Sequence, residues 1–243
     1  MSLNIKNLSV TVEETEIIHG LSLEIPKGQV HAIMGPNGSG KSTLANTLLG
    51  HPKYSISSGS VVVDDIDVTE QSPDQRAKAG LFLSMQYPPE IGGVSLVNFL
   101  RLSYEAIKGE KQNPITFFRQ VKEVMQTLSM DEEFAKRSIN TGFSGGEKKR
   151  AEILQMLVLK PTYAILDETD SGLDVDALKI VAEGINRFKS ADTGVLLITH
   201  YNRLLEYVVP DVVHIMVDGR IVKSGDASLA HEVEQSGYTQ WIS

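Results

Sequence analysis

Gly35-Pro-Asn-Gly-Ser-Gly-Lys-Ser42 has the spacing G-x-x-x-x-G-K-[ST] and lies between an apolar segment, Val30 to Met34, and a stretch that reads as helix, Lys41 to Leu49. In such a turn the glycines let the backbone wrap an anion, and the N–H groups from Asn37 to Thr43 meet it at the positive end of a helix. Lys41 is placed to neutralise the β- and γ-phosphates of a nucleotide, Ser42 to coordinate Mg²⁺, and Thr43 to reach the α-phosphate. The candidate phosphate cradle is therefore Gly35, Pro36, Asn37, Gly38, Ser39, Gly40, Lys41, Ser42 and Thr43.

This turn alone does not distinguish kinase, GTPase and ATPase chemistry, so the second half of the chain has to decide. Tyr163-Ala-Ile-Leu-Asp-Glu168 is an apolar strand ending in two acids. Asp167 is placed to hold Mg²⁺, directly or through water, and Glu168 to polarise an attacking water as a general base. Phe143-Ser-Gly-Gly-Glu147 precedes a basic turn and an apolar helix, so Ser144, Gly145 and Gly146 form a second anion-receptive helix start. No Asn-Lys-x-Asp segment for guanine recognition occurs in the chain.

These residues need strands and helices to hold them. Leu3 to Met34 is β-rich with a turn at Pro26-Lys-Gly28, and Gly59 to Val63 is a further strand. Ser72-Pro-Asp-Gln75 carries a helix cap, a proline at the first helical position and a glutamine that can close the cap, with strand Leu81 to Ser84 after it. From Tyr87 to about Met156 the pattern turns mostly helical, at Ser95 to Lys108 and Pro114 to Leu128. Alternation then resumes: strand 163–166, helix 175–189, strand 195–199, helix 202–208, and strands 212–217 and 220–223. Buried strands separated by helices predict an α/β fold with a mainly parallel sheet, an N-terminal antiparallel β part and an inserted helical subdomain. The expected division is a catalytic α/β core of residues 1–86 and 157–243 with a helical subdomain of residues 87–156.

Composition narrows the function classes. The 243 residues carry 23 Lys+Arg against 31 Asp+Glu, a net charge of −8, which gives little footing for a sequence-independent grip on nucleic acid. There is no cysteine, so a disulfide framework, a cysteine nucleophile and a cysteine-ligated cluster on this chain are excluded. The apolar runs fall far short of the roughly 20 residues needed to cross a bilayer, and residues 1–6 lack a secretory pattern. No direct membrane insertion, no nucleic acid and a cytoplasmic location are expected, with a plastid stroma open.

Taken together and in order, these motifs resemble those of ATP-binding cassette (ABC) ATPases over essentially the whole length. That resemblance implies ATP and Mg²⁺ as ligands, hydrolysis of ATP, and ATP-dependent homodimerisation in which each nucleotide lies between the P-loop of one copy and the signature motif of the other. It implies that Ser144, Gly145, Gly146 and Glu147 are the signature, that Gln86 is a further metal-side residue, and that Ser171-Gly-Leu-Asp174 meets the second copy. His200 would be the switch residue at the γ-phosphate and attacking water, so the implied catalytic pair is Glu168 and His200. Two signature positions depart from the usual pattern, Phe143 for Leu and Glu147 for Gln. Where an aromatic residue commonly stacks on adenine, only Val10 or Val12 is on offer.

Within the family, residues 143–150 and 167–178, Thr199-His-Tyr201 and residues 219–226 are similar to the ATPase subunit of the SUF iron–sulfur cluster assembly machinery. The implied partners are the scaffold subunits SufB and SufD, docking on the insertion after Gln86. The alternatives are the nucleotide-binding subunit of a membrane transporter, which shares every catalytic motif, and a regulatory module that uses ATP only to dimerise.

Overall fold

The structure, a computed structural model, describes residues 1–200 and 202–241; Tyr201 of the Thr199-His-Tyr201 segment lies outside them. The chain divides into two compact units, residues 1–83, 161–168 and 189–243 in one and residues 84–160 and 169–188 in the other.

The first unit begins with antiparallel strands β1 (Ser2–Val12) and β2 (Thr15–Pro26), which with β4 (Ser55–Val63) and β5 (Ile66–Asp67) form a four-stranded sheet in the order β2-β1-β4-β5. Its inward residues alternate with exposed ones, Leu3 and Ile5 among the former, as a sheet with one wet face requires. The second sheet contains β3 (Val30–Met34), β6 (Leu81–Ser84), β9 (Tyr163–Asp167), β10 (Gly194–Ile198), β11 (Val212–Val217) and β12 (Arg220–Gly225), in the order β12-β11-β3-β10-β9-β6. β3, β9 and β10 are buried at every position, and β10 runs parallel to both neighbours. Helices α1 (Lys41–Leu48), α2 (Pro73–Lys78), α7 (Asn202–Tyr207) and α8 (Ser228–Ser236) complete this unit. The expected cap forms at α2, where Gln75 accepts from the Ser72 N–H at 3.0 Å.

The second unit holds α3 (Leu96–Lys108), α4 (Pro114–Thr127), α5 (Gly145–Leu159), α6 (Val175–Phe188) and a two-stranded sheet of β7 (Ile91–Ser95) and β8 (Ser138–Ile139). This small sheet and α8 are not legible in the apolar periodicity, because β8 is two residues long and α8 buries only Leu229, Ala230 and Val233. Helix α6 clusters with the helical unit because it lies directly on α5: a Cβ at Gly184 would stand 2.4 Å from Ile153.

Two histidines lie in the core of the parallel sheet. His31 on β3 and His214 on β11 are 4% and 6% exposed, with Nδ1 of His31 3.0 Å from Nε2 of His214. The Gln29 amide oxygen lies 2.8 Å from His31 Nε2, and the Ser224 hydroxyl 2.7 Å from His214 Nδ1. An amide oxygen only accepts, so His31 donates from Nε2, accepts at Nδ1 from His214, and His214 in turn accepts from Ser224. Both rings are neutral in this chain of bonds: a proton added at His31 Nδ1 would meet the His214 N–H, and one added at His214 Nδ1 would leave a charge in the buried core. Burial, then the neighbouring His31, pushes His214 down to about 4 from an ordinary 6.5.

Between those two values the unfolded chain binds the extra proton, so this contribution is complete above pH 6.5 and is lost as pH falls towards 4. Its slope reaches about 1.4 kcal/mol per pH unit. Melting temperatures taken across that range should fall with pH, and less steeply for His214→Asn; a slope unchanged by the substitution would count against this assignment.

Candidate functional site

β3 runs straight into the glycine-rich turn, and the turn into α1. Gly38 and Gly40 adopt left-handed φ values of 81° and 101°, which a side chain would resist. Gly35 is required for space: a Cβ there would stand 2.1 Å from the Met216 carbonyl oxygen and 2.9 Å from Ser39 Oγ. Within this curl Lys41, 5% exposed, donates from Nζ to the carbonyls of Gly35 and Pro36 at 2.8 Å each and to Ser39 Oγ at 3.4 Å. Burial pulls its ammonium down, and the carboxylates of Glu168 and Asp167 act against that. The first N–H groups of α1, those of Lys41, Ser42 and Thr43, have no acceptor within the helix and face an incoming anion.

The far end of α1 is held from behind by Arg76, 3% exposed. Its guanidinium donates to the carbonyls of Thr47 at 2.7 Å, Leu48 at 3.0 Å, Thr69 at 2.6 Å and Gln71 at 2.9 Å. A cation at the helix C-terminus satisfies orphan carbonyls and opposes the dipole there.

Strand order brings the acids to this turn. β10 lies between β3 and β9, so the ends of all three strands open on one edge, where α/β sheets bind their ligands. Asp167 closes β9 and is 2% exposed. Glu168 follows at φ 49°, its N–H donating to the Ile198 carbonyl at 2.8 Å, so the two neighbouring acids leave the strand in different directions. The Thr199 N–H donates to the Ile33 carbonyl at 3.2 Å, drawing the end of β10 towards the turn. His200 Nε2 contacts Glu168 Oε1. The first unit thus assembles the turn 35–43, Asp167, Glu168 and His200.

Gln86 and Ser144 to Glu147 belong to the second unit. The Gln86 carbonyl accepts from Lys149 Nζ at 3.1 Å. Ser144 caps α5: Glu147 accepts from the Ser144 N–H at 2.7 Å, and Ser144 Oγ from the Glu147 N–H at 3.3 Å. The Ser144 N–H is the main cause holding the Glu147 carboxyl below its ordinary range. Both departures in this motif make local contacts. Phe143 packs edge-on to Phe134, centroids 4.8 Å apart, and the Arg137 guanidinium lies 4.8 Å and 4.6 Å from the two ring centroids. Arg137 also donates to the Thr141 and Gly142 carbonyls at 3.3 and 3.0 Å, bracing the turn before the cap. Sequence reading missed Arg137; its signal was an arginine flanked by two phenylalanines within ten residues. In Ser171 to Asp174, Asp174 Oδ1 accepts from the Ala177 N–H at 2.8 Å and so starts α6.

One expectation for the base site is corrected. Val10 is fully buried in the core between the sheets, so it offers no surface to adenine, and Val12 alone of the two stays partly exposed.

Of the candidate Mg²⁺ donors, the first unit supplies the Ser42 hydroxyl and the Asp167 carboxylate, hard oxygens that suit that ion, and Gln86 belongs to the second unit. Among the described residues there is no cluster of three or more His, Cys, Asp or Glu that could hold a metal. No helix among the described residues is long and apolar enough to cross a membrane.

Comparison with known proteins bears on the family and the fold. A family model described as "ABC transporter" matches residues 18–171. "Vegetative protein 296" of Bacillus subtilis (strain 168) is 54% identical over 99% of this chain and 93% of its own. "Probable ATP-dependent transporter ycf16" of Cyanophora paradoxa is 52% identical over 99% and 94%. A dimeric post-hydrolysis ATP-binding cassette bound to ADP and Pi superposes with TM-score 0.80 at 20% identity, over 93% of this chain and 98% of that one.

Gly35→Ala should deform the turn and cost roughly 1–3 kcal/mol of stability. Denaturant melts and titration with a fluorescent ATP analogue should show both effects, and wild-type nucleotide affinity in this variant would refute the close-approach argument.

Proposed function

The chain belongs to the ABC transporter family, and on that premise we propose that it is an ATP-hydrolysing subunit that dimerises on ATP and drives conformational change in a partner scaffold. The observation that carries the reading is the convergence of Lys41, Asp167, Glu168 and His200 on neighbouring strand ends. Lys41 and the first N–H groups of α1 bind the phosphates; Ser42, Asp167 and Gln86 would hold Mg²⁺. When bound, that ion neutralises charge on the β- and γ-oxygens. Glu168 takes the proton of the attacking water and His200, in contact with it, fixes the carboxylate. Ser144, Gly145, Gly146 and Glu147 face the γ-phosphate held by a second copy, so each site is completed only in the dimer. Catalysis is then positioning and electrostatic stabilisation of the transferring phosphoryl group. The functional division is a catalytic core of residues 1–86 and 157–243 and a coupling subdomain of residues 87–156.

The finer reading is a SufC-type ATPase acting with SufB and SufD in iron–sulfur cluster assembly. It is supported by residues 143–150, 167–178 and 219–226, which are similar to that subunit, and by the absence of any cysteine, which leaves cluster ligation to a partner. The scaffold docks on the insertion after Gln86, where Tyr87 is 84% exposed. A second reading, the nucleotide-binding subunit of a membrane transporter, is favoured by the Cyanophora relative, which is named an ATP-dependent transporter.

Glu168→Gln should retain ATP binding, lower turnover by about 100-fold or more and accumulate an ATP-dependent dimer, read by an ATPase assay with size-exclusion chromatography. An undiminished rate would remove Glu168 as the base. Specific activity of the wild type should climb with protein concentration, whereas a high, concentration-independent rate would contradict a site shared between copies. Affinity capture should return soluble scaffold subunits; recovery of an integral membrane protein instead would establish the transporter reading.

A further inference from the structure

Helix α5 is mostly apolar inside, yet it carries three buried polar side chains spaced three residues apart: Lys149, Glu152 and Gln155, which are 6%, 5% and 7% exposed. Buried polar groups are retained only where they are hydrogen-bonded, and a carboxylate most of all. Their partners lie on one short segment of backbone. Glu152 Oε2 accepts from the Met85 N–H at 3.1 Å, and Oε1 from Gln155 Nε2 at 2.9 Å. Lys149 Nζ donates to the Met85 carbonyl at 3.2 Å and to that of Gln86 at 3.1 Å. The backbone around Met85 is thus held by both polarities, its N–H by an acid and its C=O by an ammonium, from a single turn of one helix. None of these side chains has a part in the hydrolysis described above.

We propose that Glu152 is a positioning residue for Gln86. By fixing the Met85 N–H it sets the backbone from which Gln86 projects, and because it stands on the helix that begins at Ser144, the Gln86 segment and the signature turn move as one piece. The inference rests on the assignment of Gln86 to the Mg²⁺–nucleotide. A glutamine at position 152 keeps an acceptor for Met85, and Gln155 can turn its amide to match. An alanine keeps none and leaves the Met85 N–H without its buried partner.

The test uses the full chain with ATP and a Mg²⁺ titration, comparing Glu152→Ala, Glu152→Gln, Gln86→Ala and the double variant Glu152→Ala/Gln86→Ala. Glu152→Ala should lower kcat by about 10- to 100-fold and raise the Mg²⁺ concentration for half-maximal rate, and Glu152→Gln should recover most of both. The double variant should be no worse than Gln86→Ala, because the two residues act through one group. Hydrogen exchange should show residues 84–86 protected in the wild type and released in Glu152→Ala. Wild-type kinetics in Glu152→Ala with only a lowered melting temperature, or additive losses in the double variant, would overturn the proposal. If Glu152→Ala does not fold, the wild type decides: a protected Met85 amide supports the brace, and one exchanging at a loop's rate refutes it. A silent Gln86→Ala removes the Gln86 assignment and the positioning role together, whereas a silent Glu152→Ala beside an impaired Gln86→Ala removes the positioning role alone.

Discussion

The Lys41 ammonium, almost out of water and held by carbonyls at 2.8 Å, sets the terms for the rest of the first unit. A buried cation is tolerable only where polar groups close around it, and here those groups belong to the loop that the lysine itself ends. The loop must therefore curl tightly. That demands a residue without a side chain at Gly35, against the Met216 carbonyl, and left-handed backbone at Gly38 and Gly40. It also demands rigid supports: a strand buried at all five positions before the loop, and a helix after it whose far end is fixed by Arg76. The same curl aims N–H groups and a positive charge at one point, so the folding solution and the phosphate site are one arrangement.

Around that point, a change of backbone sign separates two chemically identical groups. Asp167 continues the strand and stays buried at its end; Glu168, at positive φ, turns out towards His200. Two carboxylates with different surroundings thereby arise from adjacent residues, with no need for a second loop. A left-handed non-glycine residue is uncommon, and this one sets the Glu168 side chain apart from that of Asp167.

In the second unit the organising element is α5. Its first turn is closed by Ser144 and Glu147, the approach to it is braced by Arg137 between two phenyl rings, and its buried polar side chains hold the backbone at residues 85 and 86. The two unusual signature residues both make local contacts in this environment. Phenylalanine at 143 supplies a ring for Arg137, and glutamate at 147 supplies an acceptor for the cap.

Much of the site was legible before any coordinates. The glycine spacing from Gly35 to Gly40, the strand 163–167 with acids at its end and the cap at Ser144 are local features, decided by backbone sterics, apolar periodicity and the N–H groups of a helix end. The buried strands and their helical partners were legible for the same reason. Local pattern could not reveal partners distant in the chain: the two-residue strand β8, the Arg76 grip on α1, the histidine pair across β3 and β11, or the bond from Glu152 to Met85, 67 residues away. It also left Val10 open to nucleotide, although packing buries it. The sequence alone thus determined which groups are candidates for the chemistry, because motif spacing encodes local geometry. Only tertiary structure decided what holds them, because a buried charge or imidazole is satisfied by whatever polar group the fold happens to bring beside it.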